Sequence, residues 1–365
     1  MRLIAYYLPQ FHPIPENDEW WGEGFTEWTN VRKAKQLYKG HLQPKVPSEL
    51  GYYDLRLPEI RESQAQMAKD AGIEGFCYWH YWFGNGKQLL DRPFKEVVKS
   101  KSPNFPFCLG WANESWRAKV WNATSGEKDR ILIDQLYPGE SDTVAHFYSL
   151  LEAFQDDRYI TVEGKPLFVI YKPQLLPEPR RFMDTWNNLA VKEGLSGGIF
   201  FVGHTNISKH LQEISDLGFD AVNIVRIGDC TKSNSFRIKN IPQLIRFKFM
   251  NKPYILDYKK AMYEFTKEID KLENVFPSLL PNWDHTPRSG KNGLVLHNST
   301  PSAFGEHVES VLNSVVLKEK EKQIVFIKSW NEWGEGNYLE PDTLHGREYL
   351  DELKRILLKF KSKGF

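Results

Sequence analysis

The feature that most constrains the fold of this chain is a repeated alternation of short apolar segments with amphipathic helical segments. Eight apolar segments are predicted as strands, at residues 3–7, 73–83, 105–112, 166–171, 198–203, 221–225, 278–283 and 324–327. Residues 254–256 are an alternative seventh strand, and 278–283 is favoured because it ends in the polar sequence Asn282-Trp283-Asp284. Short strands that alternate with helices are typical of parallel βα units.

Helical segments separate most of these strands. The first is predicted at 59–71, where Pro58 precedes the helix and Gly72 follows it. Further helices are predicted through Phe94 and Val97 and at about 143–154, 178–193, 208–217, 303–317 and 346–360. No linker or internal repeat interrupts the pattern, so residues 1–365 are predicted to form one domain.

Polar and aromatic side chains stand where the predicted strands end. They are Gln10, His80, Asn113, Glu114, Tyr171, His204, Trp283, Asn331 and Glu332. In a (β/α)8 barrel the carboxyl ends of all strands face one pole, so these side chains would surround one cleft between long βα loops. The sequence therefore predicts an α/β fold, a single (β/α)8 TIM barrel, and the convergence of these residues predicts an enzyme.

The last predicted strand runs into a loop, 329–337, that contains two carboxylates, two glycines and two indoles. Loops at the ends of core strands often carry the chemistry of a rigid scaffold. Glu332 and Glu335 could be surface acids beside a turn, but the tryptophans, Asn331 and the preceding strand favour a catalytic pair. Hydrolysis of a glycoside needs one protonated carboxyl and a second carboxylate, and Glu114 is a third candidate for these two roles. A carboxyl beside Trp330 and Trp333 would be desolvated, which would raise its pKa and keep it protonated.

Composition and missing motifs exclude several other functions. The formal net charge of +1 gives no field that would attract nucleic acid, whereas the aromatic content of 14% suits the apolar faces of sugar rings. Cys77 and Cys108 are predicted core residues, and neither the cysteines nor His80 and His204 have metal-ligand spacing. No dinucleotide, P-loop or acyl-transfer motif is present, so no cofactor is predicted.

Localisation and the surface of the chain are predicted from simpler signals. The chain shows no secretory leader and no apolar run of roughly 18 residues, which predicts a soluble, cytoplasmic protein with no membrane span. A cluster of basic residues is predicted to be a solvated insertion face, with binding of an anionic substrate or a lipid surface as the alternative. Its members are Lys232, Arg237, Lys239, Arg246, Lys248, Lys252, Lys259 and Lys260.

Five motifs in order along the chain resemble the WbsX family, which is similar to glycoside hydrolase family 99. They are YYLPQFH at 6–12, GFTEW at 24–28, GFCYWHYWF at 75–83, WANE at 111–114 and WNEWGEG at 330–336. The resemblance covers nearly the whole chain and implies a (β/α)8 barrel. Members of the family are often found with bacterial surface-polysaccharide genes.

The resemblance also implies a mechanism. Family 99 enzymes are endo-acting, retaining α-mannosidases whose paired glutamates correspond to Glu332 and Glu335. Glu335 would be the acid/base, and Glu332 would take the proton of the sugar 2-hydroxyl so that its oxygen closes a transient 1,2-anhydro ring. This route needs no metal or organic cofactor. The partner would be an α-linked oligo- or polysaccharide.

Three other interpretations remain open at this stage. The family label has also been glycosyltransferase, which suggests surface-glycan assembly, although no DxD motif is present. A non-catalytic carbohydrate-binding barrel is the next alternative. In a third, Glu114 and Glu332 face each other at about 5–5.5 Å and direct nucleophilic attack replaces the anhydro route. Substrate contacts are predicted for Tyr7, Gln10, Trp28, His80, Trp111, Asn113, Glu114, Tyr171, His204, Trp283, Asn331 and Tyr338.

Overall fold

Eight parallel strands form a closed barrel in the computed structural model, which describes residues 1–118, 130–232 and 252–364. The strands are β1 Arg2–Tyr7, β2 Gly75–Trp82, β3 Phe107–Trp111, β4 Lys165–Ile170, β5 Phe200–Thr205, β6 Ala221–Ile224, β7 Val275–Leu279 and β8 Ile324–Ile327. Each strand pairs in parallel with the next one along the chain, and β8 pairs with β1 to close the ring. The predicted (β/α)8 barrel is therefore confirmed.

Barrel strands are apolar on both faces because one face lines the lumen and the other is covered by helices. Every residue of β2 is buried. In the lumen, the ring of Tyr6 stacks on Trp79 and Phe326, with ring centroids 4.6 and 5.1 Å apart. The predicted core residues Cys77 and Cys108 are buried and lie opposite each other in adjacent strands.

Helices cover the outside of the barrel and fill some of its loops. They are α1 Pro15–Trp21, α2 Glu27–Lys33, α3 Pro58–Asp70, α4 Arg92–Ser100, α5 Glu140–Phe154, α6 Pro179–Lys192, α7 Leu211–Asp216, α8 Ile227–Lys232, α9 Tyr258–Met262, α10 Thr286–Ser289, α11 Pro301–Val315 and α12 Glu348–Ser362. Several begin with proline, whose fixed φ and missing N–H suit the first turn of a helix. The Thr300 side chain caps α11 by accepting from the Ala303 N–H at 3.2 Å.

Short pairs of strands decorate the loops. Tyr254–Asp257 runs parallel to Leu294–His297, and Trp116–Ala118 pairs with Arg130–Ile133. Gln88–Leu89 extends β2, and Thr161–Val162 precedes β4. Asn331–Glu332 pairs with Asn337–Tyr338 in the loop after β8.

Two predicted strands differ from the structure. The seventh strand starts at Val275 rather than at 278 and ends at Leu279, and Pro277 lies inside it, paired with Ile224. The alternative segment, 254–257, is a strand outside the barrel. The fifth strand extends to Thr205, so His204 lies within β5 rather than after it.

Some predictions from the sequence are not tested, or are tested only in part, by the residues that the structure describes. Half of the predicted basic cluster lies outside the described residues, namely Arg237, Lys239, Arg246 and Lys248. The prediction of one domain stays a prediction. In the described parts of the chain, no helix is both long enough and apolar enough to cross a bilayer.

Candidate active site

The loop after β8 is tied to the neighbouring strand β1 by its backbone. The Trp330 N–H donates to the Tyr6 carbonyl at 2.7 Å. Asn331 and Glu332 form a short antiparallel pair with Asn337 and Tyr338, and a single 3₁₀ turn, Trp333–Glu335, connects the two segments. The loop therefore leaves the carboxyl end of β8 as a compact hairpin at the pole where (β/α)8 barrels carry their active sites.

Arg288, in α10 after β7, lies between the two carboxylates of this hairpin. Its Nη2 donates to Glu332 Oε1 at 2.5 Å, and its Nη1 donates to Glu335 Oε1 at 2.8 Å. A third carboxylate, Glu27, contacts the same guanidinium at 3.0 Å from Nη2 and 3.3 Å from Nε. One guanidinium from the loop after β7 thus joins carboxylates from the loops after β1 and β8, and the geometry of its planar fork fixes their relative positions.

Glu27 reaches this cluster because α2 starts beside the motif loop. The Glu27 N–H donates to the Gln10 carbonyl at 3.2 Å, which holds the start of α2 at the end of β1. Gly334 passes so close to Glu27 that a Cβ at that position would overlap the carboxylate, and it would lie 2.9 Å from Arg288 Nε. Close packing against Glu27 and Arg288 therefore requires a glycine at position 334.

The two motif carboxylates have opposite pKa shifts. Burial alone would raise the pKa of Glu335, but the hydrogen bond from His285 and the charges of Arg288 and Lys328 outweigh it and hold the pKa well below its ordinary value. Lys328 Nζ is 4.0 Å and His285 Nε2 is 3.6 Å from this carboxylate. Burial raises the pKa of Glu332; the charge of Arg288 offsets part of this rise, and the charge of Glu335 adds to it. The proton of the pair therefore resides preferentially on Glu332 in the free protein.

The two indoles of the motif do not surround the catalytic pair, as the sequence suggested. The Nε1–H groups of Trp330 and Trp333 donate to Glu340 at 3.0 and 2.6 Å. Both rings are fully buried. The sequence predicted that neighbouring indoles would raise the pKa of a motif carboxyl. Instead, burial and the charge of Glu335 raise the pKa of Glu332.

Two tyrosines lie within electrostatic range of the carboxylates. Burial raises the pKa of Tyr81, and the charge of Glu332 adds to that rise. Burial also raises the pKa of Tyr171, with Glu114 and Glu335 as the next contributions. These charges act on both phenols because they face the same cleft. Glu114 is partly exposed at the rim, 3.8 Å from Lys172 Nζ.

His204 and Trp283 are the other predicted contacts that the structure places near the pair. His204 Nδ1 is 2.8 Å from Asn223 Oδ1, and burial lowers the pKa of His204 to about 3, so the ring is neutral. Its ring lies 5.2 Å from Tyr171. The indole of Trp283 lies 5.7 Å from Lys328 Nζ and stacks loosely on His285.

Three predicted substrate contacts lie on the outer face of the barrel instead. Tyr7 donates its hydroxyl to Gln64 in α3 at 2.6 Å, and His80 contacts His146 in α5 at 2.8 Å. Trp111 also packs against His146. Side chains alternate between the two faces of a strand, so these residues point to helices and not into the cleft.

Two buried asparagines join strand ends and have no free amide for a ligand. Asn331 accepts from the Leu8 N–H at 2.8 Å and donates to the Leu8 carbonyl at 3.0 Å. Asn113 makes the same two-way contact with the backbone of Lys172, at 2.8 and 3.0 Å. The expected contacts with sugar hydroxyls are corrected for both, because their side chains satisfy backbone groups that the ends of strands leave unpaired.

Trp28 and Tyr338 also belong to the packing behind the loop. Trp28 donates its indole N–H to the Tyr53 carbonyl at 2.8 Å. Tyr338 stacks on Trp333 with ring centroids 3.7 Å apart and donates its hydroxyl to Asp342 at 2.7 Å. Both residues are buried, which corrects their predicted role as substrate contacts.

Sequence reasoning missed Arg288, Lys328, His285 and Glu340. Glu27 stood in one of the five motifs but was not selected. Arg288 and His285 could not be placed because the seventh strand was predicted to end later than it does. Among the residues that the structure describes, no group of three or more His, Cys, Asp or Glu side chains is arranged to hold a metal ion.

Comparisons with known proteins agree on family and fold. The family described as Glycosyltransferase WbsX matches residues 3–353. The chain is 35% identical over 358 residues to "Uncharacterized protein WxcX" of Xanthomonas campestris pv. campestris, covering 98% of this chain and 50% of that protein. A second strain carries a protein with the same identity and coverage. The chain thus spans about half the length of the curated relatives it matches.

Solved structures with the same fold include the GH99 endo-alpha-mannosidase from Bacteroides thetaiotaomicron. Its complex with BIS-TRIS-propane matches with a TM-score of 0.60 and 16% identity, covering 99% of this chain and 98% of that one. A structure described as a glycoside hydrolase-like protein matches with a TM-score of 0.58 and 15% identity, covering 97% and 93%. At these identities the likeness concerns the fold alone. On the match over residues 3–353, the chain belongs to the family described as Glycosyltransferase WbsX.

Proposed function

We propose that the chain is a retaining, endo-acting glycoside hydrolase that cleaves α-linked, mannose-containing bacterial surface polysaccharide. The observation that carries the proposal is the pair Glu332 and Glu335, joined by Arg288 and shifted in opposite directions in pKa. Glycoside cleavage requires one group that donates a proton and one that accepts it, and a pair with opposing shifts supplies both.

Substrate binding would redistribute the proton within the pair. A neutral sugar that displaces Arg288 Nη1 from Glu335 removes the cation closest to that carboxylate, at 2.8 Å, while leaving it buried. Both effects raise the pKa of Glu335. Glu332 keeps its 2.5 Å contact with Nη2 and becomes the ionised member. This arrangement matches the roles that the family resemblance implies.

The chemistry then proceeds in two steps. Glu335 protonates the departing glycosidic oxygen as the bond from C1 to that oxygen breaks, and Glu332 removes the proton of the 2-hydroxyl. The 2-oxygen bonds to C1 and forms the 1,2-anhydro sugar. Water then attacks C1, Glu335 takes the proton of the water, and Glu332 returns a proton to the 2-oxygen. Two inversions at C1 give net retention, and neither step uses a metal or an organic cofactor.

Aromatic side chains support a sugar as the occupant of the cleft. Trp79 and Tyr171 lie 5.3 Å apart near its floor, and Trp283 lies beside Lys328 and His285. Flat apolar faces with polar edges are suited to the C–H faces of pyranose rings.

Incubation of the protein with bacterial surface glycans and α-mannans, with released oligosaccharides followed by mass, tests this proposal. Glu332→Gln and Glu335→Gln are each expected to lower turnover by ~10²–10⁴ while the melting temperature changes little. Glu163→Gln, at the opposite pole, is the matched control and retains full turnover. If neither motif variant lowers turnover, the pair is not catalytic. A loss in Glu114→Gln as large as in Glu332→Gln would favour direct attack across that pair instead.

Glycosyl transfer is the second candidate, and the description of the family favours it. A transferase would need an activated sugar donor, so a nucleoside diphosphate sugar would raise the melting temperature while no glycan is cleaved. A non-catalytic barrel would bind glycans without turnover, and its affinity would be the same in Glu335→Gln.

A further inference from the structure

Behind the motif loop, on the side away from Arg288, lies a carboxylate to which the catalytic scheme assigns no role. Glu340 is 3% exposed and comes directly after the hairpin. Its Oε1 accepts from Gln64 Nε2 at 2.6 Å and from Trp330 Nε1 at 3.0 Å. Its Oε2 accepts from Tyr53 Oη at 2.8 Å and from Trp333 Nε1 at 2.6 Å.

All four partners are hydrogen-bond donors, and a carboxylate is the side chain that accepts four. Two oxygens with two lone pairs each match two indoles, one amide and one hydroxyl. An indole N–H can only donate, so Trp330 and Trp333 have no other way to be satisfied at these positions. A neutral amide at 340 would direct its own N–H groups at donors and leave at least one of them unpaired.

The same carboxylate connects the motif loop to neighbouring elements of the barrel. Gln64 belongs to α3, and its Oε1 accepts from Tyr7 of β1 at 2.6 Å. Tyr53 lies in the long loop after β1, and its hydroxyl also accepts from Asn331 Nδ2 at 3.4 Å. Glu340 therefore joins the hairpin, strand β1 and helix α3 through one buried group.

Among the residues that the structure describes, no charged or titratable neighbour supplies a counter-ion inside this network. Tyr7 and Tyr53 are the titratable groups that face Glu340 from β1 and its loop, and Trp330 and Trp333 face it from the hairpin. Arg61 of α3 acts on Tyr7 but forms its ion pair with Glu96. The carboxylate is thus held by hydrogen bonds, and burial raises its pKa to about 7 despite them.

We propose that Glu340 is a positioning residue that fixes the motif loop by binding both of its indoles, and so sets where Glu332 and Glu335 stand in the cleft. The side chain does not touch substrate; it acts through Trp330 and Trp333. The role of Glu340 in turnover rests on the proposed hydrolase function, whereas its role in ordering the loop does not. The two can therefore be tested apart.

The first experiment measures amide hydrogen exchange in Glu340→Gln, which keeps the size of the side chain and changes its hydrogen-bonding atoms. Exchange over residues 331–337 is expected to rise roughly tenfold while strands on the far side of the barrel, such as β5, keep their protection. Asp156→Asn is the matched control, because Asp156 is a buried carboxylate held by Arg158 and Lys101 in the turn before β4. That variant is expected to leave the motif loop unchanged.

Kinetics then separate positioning from general stability. Glu340→Gln is expected to lower kcat by about tenfold to hundredfold with little change in KM, because misplacement of catalytic groups affects the chemical step. Glu340→Asp, which restores the charge, is expected to recover part of the loss. Unchanged exchange in Glu340→Gln would overturn the inference, as would an equal rise in Asp156→Asn. If the wild type cleaves no glycan but the exchange results hold, the hydrolase proposal fails and the ordering role stands.

Discussion

Removal of the guanidinium that joins the three carboxylates is the sharpest test of the site. Arg288→Met keeps an unbranched apolar stem and removes the guanidinium with its charge and its five donors. Glu332, Glu335 and Glu27 would then lie buried together without the cation that they share, while Lys328 Nζ and His285 Nε2 remain 4.0 and 3.6 Å from Glu335. Like charges this close cannot all stay ionised without cost.

The magnitude follows from the burial of the cluster. Removal of one partner from a buried ion pair costs roughly 3–5 kcal/mol. The Arg288 side chain is 25% exposed, so solvent screens part of this interaction. We therefore expect the free energy of unfolding at neutral pH to fall by about 2–3 kcal/mol in Arg288→Met.

The sign of the pH dependence follows from the shifted groups. In the wild type the pKa of Glu335 is lowered, so its contribution to stability is present above the unfolded value and is lost as pH falls towards the folded one. The pKa of Glu332 is raised, so its contribution runs the other way and declines as pH rises. In Arg288→Met the pKa of each carboxylate is higher than in the wild type, because a nearby positive charge is removed. The destabilisation is therefore largest above about pH 7 and shrinks below about pH 4.5, where the variant is protonated.

Chemical denaturation of wild type and variant from acidic to neutral pH measures this difference. Arg181→Met is the matched control, because Arg181 pairs with Glu140 and Glu178 on the exposed surface. We expect the control to unfold like the wild type at every pH. A difference between Arg288→Met and wild type that stays constant with pH would refute the argument, because the loss would then not be electrostatic.

Two further predictions concern the close packing at Gly334 and a buried ion pair. Gly334→Ala introduces a Cβ that overlaps Glu27 and lies 2.9 Å from Arg288 Nε, so we expect it to lower glycan turnover at least about tenfold; turnover equal to that of the wild type would show that the contact is dispensable. Arg226 and Asp270 form an ion pair in which both side chains are fully buried, 2.5 Å apart, and Arg226→Met is expected to lower the free energy of unfolding by about 3–5 kcal/mol in denaturant titrations. A decrease in the free energy of unfolding below about 1 kcal/mol would mean that loss of the ion pair hardly destabilises the protein.

Much of the fold could be predicted because barrel strands and surface helices have different hydrophobic patterns. The motif loop and its strand were placed correctly, since β8 is continuous and apolar. The seventh strand was placed three residues too late because it was chosen for its polar end, Asn282-Trp283-Asp284, whereas the strand ends at Leu279. Local sequence does not reveal which backbone groups its neighbours will satisfy.

The direction of side chains on the strands could not be predicted. Tyr6 and Tyr7 are adjacent and chemically alike, yet Tyr6 points into the lumen and Tyr7 contacts Gln64 outside it. In a strand buried on both faces, hydrophobicity does not distinguish the faces. His80 was assigned to the cleft for the same reason, although it contacts His146 on the outside.

The motif loop itself shows why the spacing of its residues matters. Trp330 and Trp333 are three residues apart and both donate to Glu340, whereas Glu332 and Glu335 are three apart and both accept from Arg288. Asn331–Glu332 is a strand segment and Trp333–Glu335 is a 3₁₀ turn, so each pair spans the change from strand to turn. The two tryptophans and the two glutamates alternate along the loop, each pair three residues apart. One side of the loop is therefore anchored to Glu340, and the other faces the cleft. A one-residue insertion within residues 330–335 would turn a carboxylate towards the side of the loop that holds the indoles. The spacing of the motif is therefore a requirement of its geometry as well as of its chemistry.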